Sequence, residues 1–192
     1  MSILKIAQLG HPTLYKKASL VDNITEPSIK KLIHDMSETM IDYKGIGLAA
    51  PQVHISKQVI IFRTIEDQAK ESNEIKITAL INPRITKTSE ETDNQWEGCL
   101  SIPGMLGLVK RHSGISYEGY DMSGNKVQQN AEGLHARVVQ HECDHLNGIV
   151  FIHRLVDKKA YGYEGEIEEY WKKNMINIYL FSIRKIFVLS RQ

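Results

Sequence analysis

The hexapeptide QHECDH, residues 140–145, places two histidines four apart with a glutamate directly after the first. On an α-helix four residues advance by about 400°, so His141 and His145 share one face, one turn apart. Two imidazoles so placed can fill two corners of a divalent metal site, and Glu142 beside them can carry a proton. They do not complete the site. The identity of the third ligand decides the chemistry.

Three layouts compete for that position. The metzincin protease pattern is met at His141, Glu142, His145 and Gly148, but its third histidine belongs at position 151, which is Phe151; His153 comes two residues late. A second protease layout takes a glutamate from a later helix. Glu164, Glu166, Glu168 and Glu169 stand at suitable spacing, in a Glu- and Lys-rich stretch that equally suits a solvated helix face. The third layout looks upstream, where WEGCLSIPG (96–104) carries Cys99. A thiolate binds divalent transition metals strongly. One cysteine and two histidines leave a fourth position open for water, which is the pattern of a catalytic site, since structural sites close all four. The other cysteine, Cys143, lies about 200° around the helix from His141 and is expected to face away, as a packing residue. A further stretch, GIGLAAPQ (45–52), sets two glycines two apart, which permits close backbone approach. Its Gln52 offers an amide that both donates and accepts.

The elements that must hold these residues follow from periodicity. Pro27 suits a first helical turn, and Ile29, Leu32, Ile33, Met36 and Met40 recur at helical spacing, so 27–43 reads as an amphipathic helix. Strands are expected at 57–62, 75–85 up to Pro83, 114–121 and 126–131, with a short one at 149–152. Residues 45–52, 68–74 and 86–95 read as loops or turn-rich polar segments. The histidine helix is expected over 133–147, ending before Gly148 as C-cap. This is an α+β pattern: antiparallel sheets packed around a central helix carrying H-E-x-x-H, with a C-terminal helix over 163–189. A chain of 192 residues suffices for one catalytic domain, with its core over about 3–155.

Composition narrows the setting. A formal net charge of +1 gives no electrostatic case for a nucleic-acid partner or an anionic membrane. The apolar end of the tail is interrupted by Arg184 and Lys185 and is too short to span a bilayer. The first 17 residues lack the apolar run and cleavage site of a secretory signal. The expected setting is a bacterial-type cytoplasm, where the two cysteines stay reduced.

Together GIGLAAPQ, EGCLS (97–101) and QHECDH resemble the three signature motifs of the peptide deformylases, in that family's order and with similar separations, over roughly residues 3–155. GYDMSGN and ARVVQHECDHL are similar to members as well. The resemblance implies one divalent metal per chain held by Cys99, His141 and His145, with Glu142 as the acid and base. Fe²⁺ is implied as the metal in the cell, with Zn²⁺, Ni²⁺ or Co²⁺ able to take its place. Gln52 and the backbone N–H of Leu100 would hold the substrate oxygen. Gly45, Ile46 and Gly47 would flank the bound peptide, and Ile46, Leu134 and Val138 are candidates for an apolar pocket that accepts a Met side chain. The reaction implied is hydrolysis of the formyl group from N-formylmethionyl nascent chains, releasing formate, with a transient ribosome contact. Asp144 is a candidate to orient a histidine N–H.

Two positions depart from the family pattern: Leu106, where some members carry arginine, and Arg137, where many carry an apolar pocket residue. Two other classes stay in play. One is an H-E-x-x-H zinc metalloprotease with a tail glutamate as third ligand. The other is an inactive metal-binding or interaction module, which would not require the proton carrier Glu142.

Overall fold

The computed structural model describes residues 3–63 and 77–172. The expected loop at 68–74, the start of the strand at 75 and the tail beyond 172 lie outside the described residues.

After an irregular entry with one 3-10 turn at Pro12–Tyr15, helix α1 spans Pro27–Asp42. Pro27 stands in its first turn, and Ile29, Ile33, Met36 and Met40 form its buried stripe. Strands β1 (Gly47–Ala49) and β2 (Val59–Phe62) follow, separated by a 3-10 turn at Ala50–Val53. Then come β3 (Thr78–Thr88), β4 (Thr92–Cys99), β5 (Ile102–His112), β6 (Gly114–Tyr120) and β7 (Lys126–Glu132). Helix α2 runs Gly133–Leu146. A 3-10 turn at Phe151–Arg154 and strand β8 (Tyr161–Tyr163) lead into a helical segment over 164–172, whose last six residues form a π-helical turn.

All strand pairing within the sheets is antiparallel. One sheet has the order β1-β2-β3-β6-β7 and the other β4-β5-β8. Strand β2 shows how the first sheet is buried on both faces. Its Val59 and Ile61 pack with Ile33, Met36 and Met40 of α1. Its Ile60 and Phe62 pack with Val139, Cys143 and Leu146 of α2. Helix α2 in turn packs against β1, β2 and β7 on one side and β5 on the other. It is the expected central helix of an α+β fold. Placed between two sheets, it is buried nearly all round, polar residues included.

Four local readings differ from the structure, the first at 45–52, read as a loop, where Gly47–Ala49 forms β1 and Ala50–Val53 a 3-10 turn. The segment read as polar turn at 86–95 continues β3 to Thr88 and begins β4 at Thr92. Strands β4 and β5 then form a long hairpin, paired from Thr92↔His112 to Cys99↔Ile102. Its inward side chains include Asp93, Glu97 and Arg111, which are satisfied by one another and by α2. Paired charge therefore replaces the apolar alternation that marks a half-buried strand. The segment read as a strand at 149–152 is instead irregular at 149–150 and enters the 3-10 turn Phe151–Arg154, with Val150 and Phe151 buried consecutively and not in alternation. Finally, β3 passes through Pro83 instead of ending there. Its register shifts between Ile81 and Arg84, and Asn82 takes φ 51°, so the proline sits at a bulge where its missing N–H is harmless.

The histidine helix is capped by Asn147, so Gly148, expected in that role, stands one position beyond it. It takes φ +72°, and a Cβ there would lie 2.6 Å from the Tyr15 carbonyl carbon. Only glycine lets the chain turn at this point against the N-terminal segment.

Candidate metal centre and active site

Cys99 closes β4 at the tip of the hairpin, and His141 and His145 project from α2. The fold brings one ligand atom from each to within 4.8 Å of the others. Cys99 Sγ and His145 Nε2 are 3.3 Å apart. Ligands bound to a single tetrahedral ion at about 2.0–2.3 Å are separated by distances of this order. Soft sulfur with two imidazoles suits a late first-row divalent metal. The residues present therefore fit such an ion.

The His141 ring is fixed from behind. Its Nδ1 lies 2.9 Å from Glu97 Oε2, and as the donor there it leaves Nε2 for the metal. Burial alone would raise the Glu97 pKa, but the hydrogen bond from His141 and the charge of Arg111 hold it well below the usual carboxylate range. Arg111 reaches both Glu97 oxygens, at 2.6 and 2.9 Å, and Asp144 Oδ2 at 2.9 Å. Arg137 donates to Glu97 Oε1 and to Asp93 Oδ1, each at 2.6 Å. Arg154 closes the outer end of this network on Asp144.

Two readings from the sequence change here. Asp144 does not hold a histidine; it bonds Arg111 and Arg154. The carboxylate on His141 is Glu97, which sequence reasoning passed over although it stands two residues before Cys99. Arg137, which departs from the apolar residue many members carry, is likewise a partner of Glu97. The period of a strand would have placed Asp93 and Glu97 on one face, had β4 been recognised.

Glu142 is only 4% exposed, and its Oε2 has no hydrogen-bond partner. Burial pushes its carboxyl up to about 7. A buried carboxyl oxygen with no protein partner is costly, and such groups concentrate where a proton must be taken or given. The adjoining wall is Gly47 of β1: a Cβ added there would run into the Glu142 carboxylate. Across the site, Gln52 accepts from Ala49 N–H at 2.8 Å, and its Nε2 lies 3.4 Å from Cys99 Sγ and 3.2 Å from Ser101 Oγ. The Leu100 side chain lies against Gly45, where a Cβ would meet it at 3.0 Å. Ile46 and Leu134 pack, half-buried, on the apolar cluster that contains Val138.

Cys143 faces the other way. It packs in the core between α2 and the first sheet, and burial pushes its thiol up to about 12, with Asp144 and Glu142 adding to the effect. A thiol reagent applied to native, metal-stripped protein at pH 8 should therefore modify Cys99 and spare Cys143 until the chain is denatured. Mass mapping of the labelled peptides reads this directly; rapid native labelling of Cys143 would contradict its burial.

The tail glutamates stand apart from the centre. Among the described residues, the potential ligand groups are Cys99–His141–His145 and an exposed set on α1, His34–Asp35–Glu38; no tail glutamate enters either. The tail segment packs instead through Ile167, with Trp96, Leu106 and Ala160, on the second sheet. Leu106 is thus a packing residue under the tail. Among the described residues, no helix is long and apolar enough to cross a membrane.

Known proteins resemble this chain along most of its length. The sequence pattern of the polypeptide deformylase family matches residues 3–161. Peptide deformylase 1 of Nitrosomonas europaea is 44% identical over 163 residues, covering 84% of this chain and 92% of the relative. Peptide deformylase 1 of Prochlorococcus marinus is 40% identical over 170 residues, covering 88% of each. Among solved structures, the class I type b peptide deformylase of Acinetobacter baumannii, crystallised with Met-Ala-Ser bound, superposes with a TM-score of 0.73 at 36% identity, over 81% of this chain and all of that one. The Thermotoga maritima peptide deformylase gives a TM-score of 0.73 at 37% identity, over 82% of this chain and all of that one. With relatives this similar along most of its length, the chain belongs to the peptide deformylase family, the enzymes that remove the N-terminal formyl group from nascent polypeptides.

Proposed function

We propose that the chain carries out this deformylation with one divalent metal held by Cys99, His141 and His145, on nascent chains that begin with formyl-methionine. The observation that carries the reading is the juxtaposition of three ligand atoms with a buried Glu142 carboxyl, its Oε2 unpartnered, on the helix that carries the two histidines. The metal, when bound, supplies a Lewis acid that brings the pKa of a water at its open position toward neutrality. Fe²⁺ is the proposed metal in the cell; the sulfur-and-imidazole donor set also suits Zn²⁺, Ni²⁺ and Co²⁺.

The remaining steps belong to the chain. Glu142 takes the proton of the attacking water and delivers it to the departing amine nitrogen. Gln52 Nε2 and the Leu100 N–H donate to the formyl oxygen as it gains charge; loss of one such donor typically costs about 10²–10³ in rate. Glu97 keeps the His141 ring turned. Gly45, Ile46 and Gly47 flank the peptide, and Ile46, Leu134 and Val138 receive the methionine side chain. The Met-Ala-Ser found in the Acinetobacter baumannii structure is what deformylation of formyl-Met-Ala-Ser would leave. A transient contact with the ribosome belongs to the same reading.

Gly47 lies so close to Glu142 that a Cβ there would collide with its carboxylate, and with the reacting carbon held beside this wall little room would remain on its far side. A formyl group carries only hydrogen there. An added methyl in an open pocket changes discrimination by about 10–200-fold. A wall at the reacting carbon does more, since displacement by about 1 Å costs roughly 10²-fold. The test is to incubate the metal-loaded protein with formyl-Met-Ala-Ser, acetyl-Met-Ala-Ser and an unfolded protein, then measure formate, acetate and new internal termini. Rapid formate release with slow or absent acetate release is expected. Internal cleavage without formate would overturn the reading in favour of a protease.

A further inference from the structure

We infer that Ser101 is a positioning residue for the reaction: its buried hydroxyl holds the Gln52 side-chain amide with one N–H aimed at the substrate oxygen. This rests on the role proposed for Gln52 and extends it to a residue with no role so far.

The argument is one of hydrogen-bond bookkeeping. Gln52 is 2% exposed and Ser101 fully buried, so water does not complete their valences. The Ala49 N–H donates to Gln52 Oε1 at 2.8 Å, which settles which end of the amide is oxygen. Nε2 must then face Cys99 and Ser101, and it carries two hydrogens. Ser101 Oγ, at 3.2 Å, accepts one. The other is directed toward Cys99, 3.4 Å away, the side on which the substrate oxygen is proposed to lie. Without the serine oxygen, the amide keeps only its bond from the Ala49 N–H and the longer contact with Cys99, and its NH₂ end is free to swing further about the last bond. The donor would then spend part of its time turned away from the reacting group.

The main chain supports the same pair. Ala7 N–H donates to the Gln52 carbonyl at 2.7 Å, and Leu9 N–H to the Ser101 carbonyl at 2.8 Å. One N-terminal segment therefore clamps both residues, 49 positions apart in sequence, at a fixed separation. The hydroxyl adds a second constraint on the side-chain torsion of Gln52, at the Nε2 end, to the one the Ala49 N–H places on Oε1.

A double-mutant cycle tests this. Ser101→Ala should lower kcat by roughly 10–100-fold, in line with misplacement of a donor, while KM, bound zinc and the thermal midpoint stay close to those of the parent. In the Gln52→Ala background, adding Ser101→Ala should change kcat by less than about twofold, because the group it positions is gone. An equal loss in both backgrounds, or loss of zinc from Ser101→Ala, would overturn the inference. If Gln52→Ala alone keeps normal kcat, the role of Gln52 fails and the inference with it. If Gln52→Ala is impaired but Ser101→Ala is not, only the inference fails. The parent protein gives an independent reading by nitrogen-15 NMR with zinc bound. The two Gln52 side-chain amide protons should be well separated and slow to exchange; averaged, rapidly exchanging signals would contradict a held amide.

Discussion

Glu142→Ala should retain about one metal ion per chain and lose deformylation by roughly 10²–10⁴-fold, the range that a positioned general acid–base contributes. The two halves of this expectation rest on different features. Retention of metal follows because Cys99, His141 and His145 converge without Glu142, and because the Glu97 bond to His141 lies on the opposite side of the ring. Loss of turnover follows because, among the described residues, the neighbouring carboxylates are engaged elsewhere: Asp144 is tied to Arg111 and Arg154, and Glu97 to Arg111, Arg137 and His141. Metal analysis of the purified variant, paired with formate release, separates the halves. Near-normal turnover would remove Glu142 from the mechanism, and a metal-free variant would make it a ligand instead.

Cys99→Ala should strip the site. Removing a residue that merely supports a ligand already costs about 10–100-fold in metal affinity, and a thiolate is the strongest donor of this set for a soft divalent ion. The expected loss exceeds that range, so dialysis against a mild chelator should leave the variant essentially metal-free and without formate release. Cys143→Ala, treated identically, should keep its metal, since that thiol lies in the apolar core on the other side of α2. Single replacement of Glu164, Glu166, Glu168 or Glu169 should leave metal content unchanged. Full metal in Cys99→Ala together with loss in Glu166→Ala would restore the protease layout.

The residues that stood out in the sequence are those whose geometry is local. Two histidines four apart need only a helix to meet, and the helix read at 133–147 is Gly133–Leu146. The same local reasoning turned Cys143 away from the histidines, where it is found. What sequence reading lost was set by contacts distant along the chain. Glu97 meets His141 across 44 residues, and Arg111 meets Asp144 across 33. Choosing Asp144 as the support for a histidine favoured a neighbour in sequence over a neighbour across the fold. The β4–β5 hairpin was missed for the same reason, because its inward positions are charged and become compatible with burial only when partners arrive from α2. Paired charges carry no hydrophobic period, and the pairing is invisible until the elements are assembled.

The ion network around Glu97 also sets the paths along which this sequence can drift. Asp93, Glu97 and Asp144 oppose Arg111, Arg137 and Arg154. Stranding one member of a buried pair costs about 3–5 kcal/mol, whereas replacing both members with apolar groups is often neutral. The side chain of Asp93 is 36% exposed, so water can stand in for its partner, while those of Arg137 and Glu97 are each 5% exposed. Descent should therefore move from the rim inward. Asp93 can change first, and Arg137 can then give way to an apolar residue while Arg111 still neutralises Glu97. Arg111 is harder to lose, because its departure weakens Glu97 and Asp144 at once and leaves each to a single remaining arginine. Single-step loss of Arg137 should therefore cost less stability than single-step loss of Arg111.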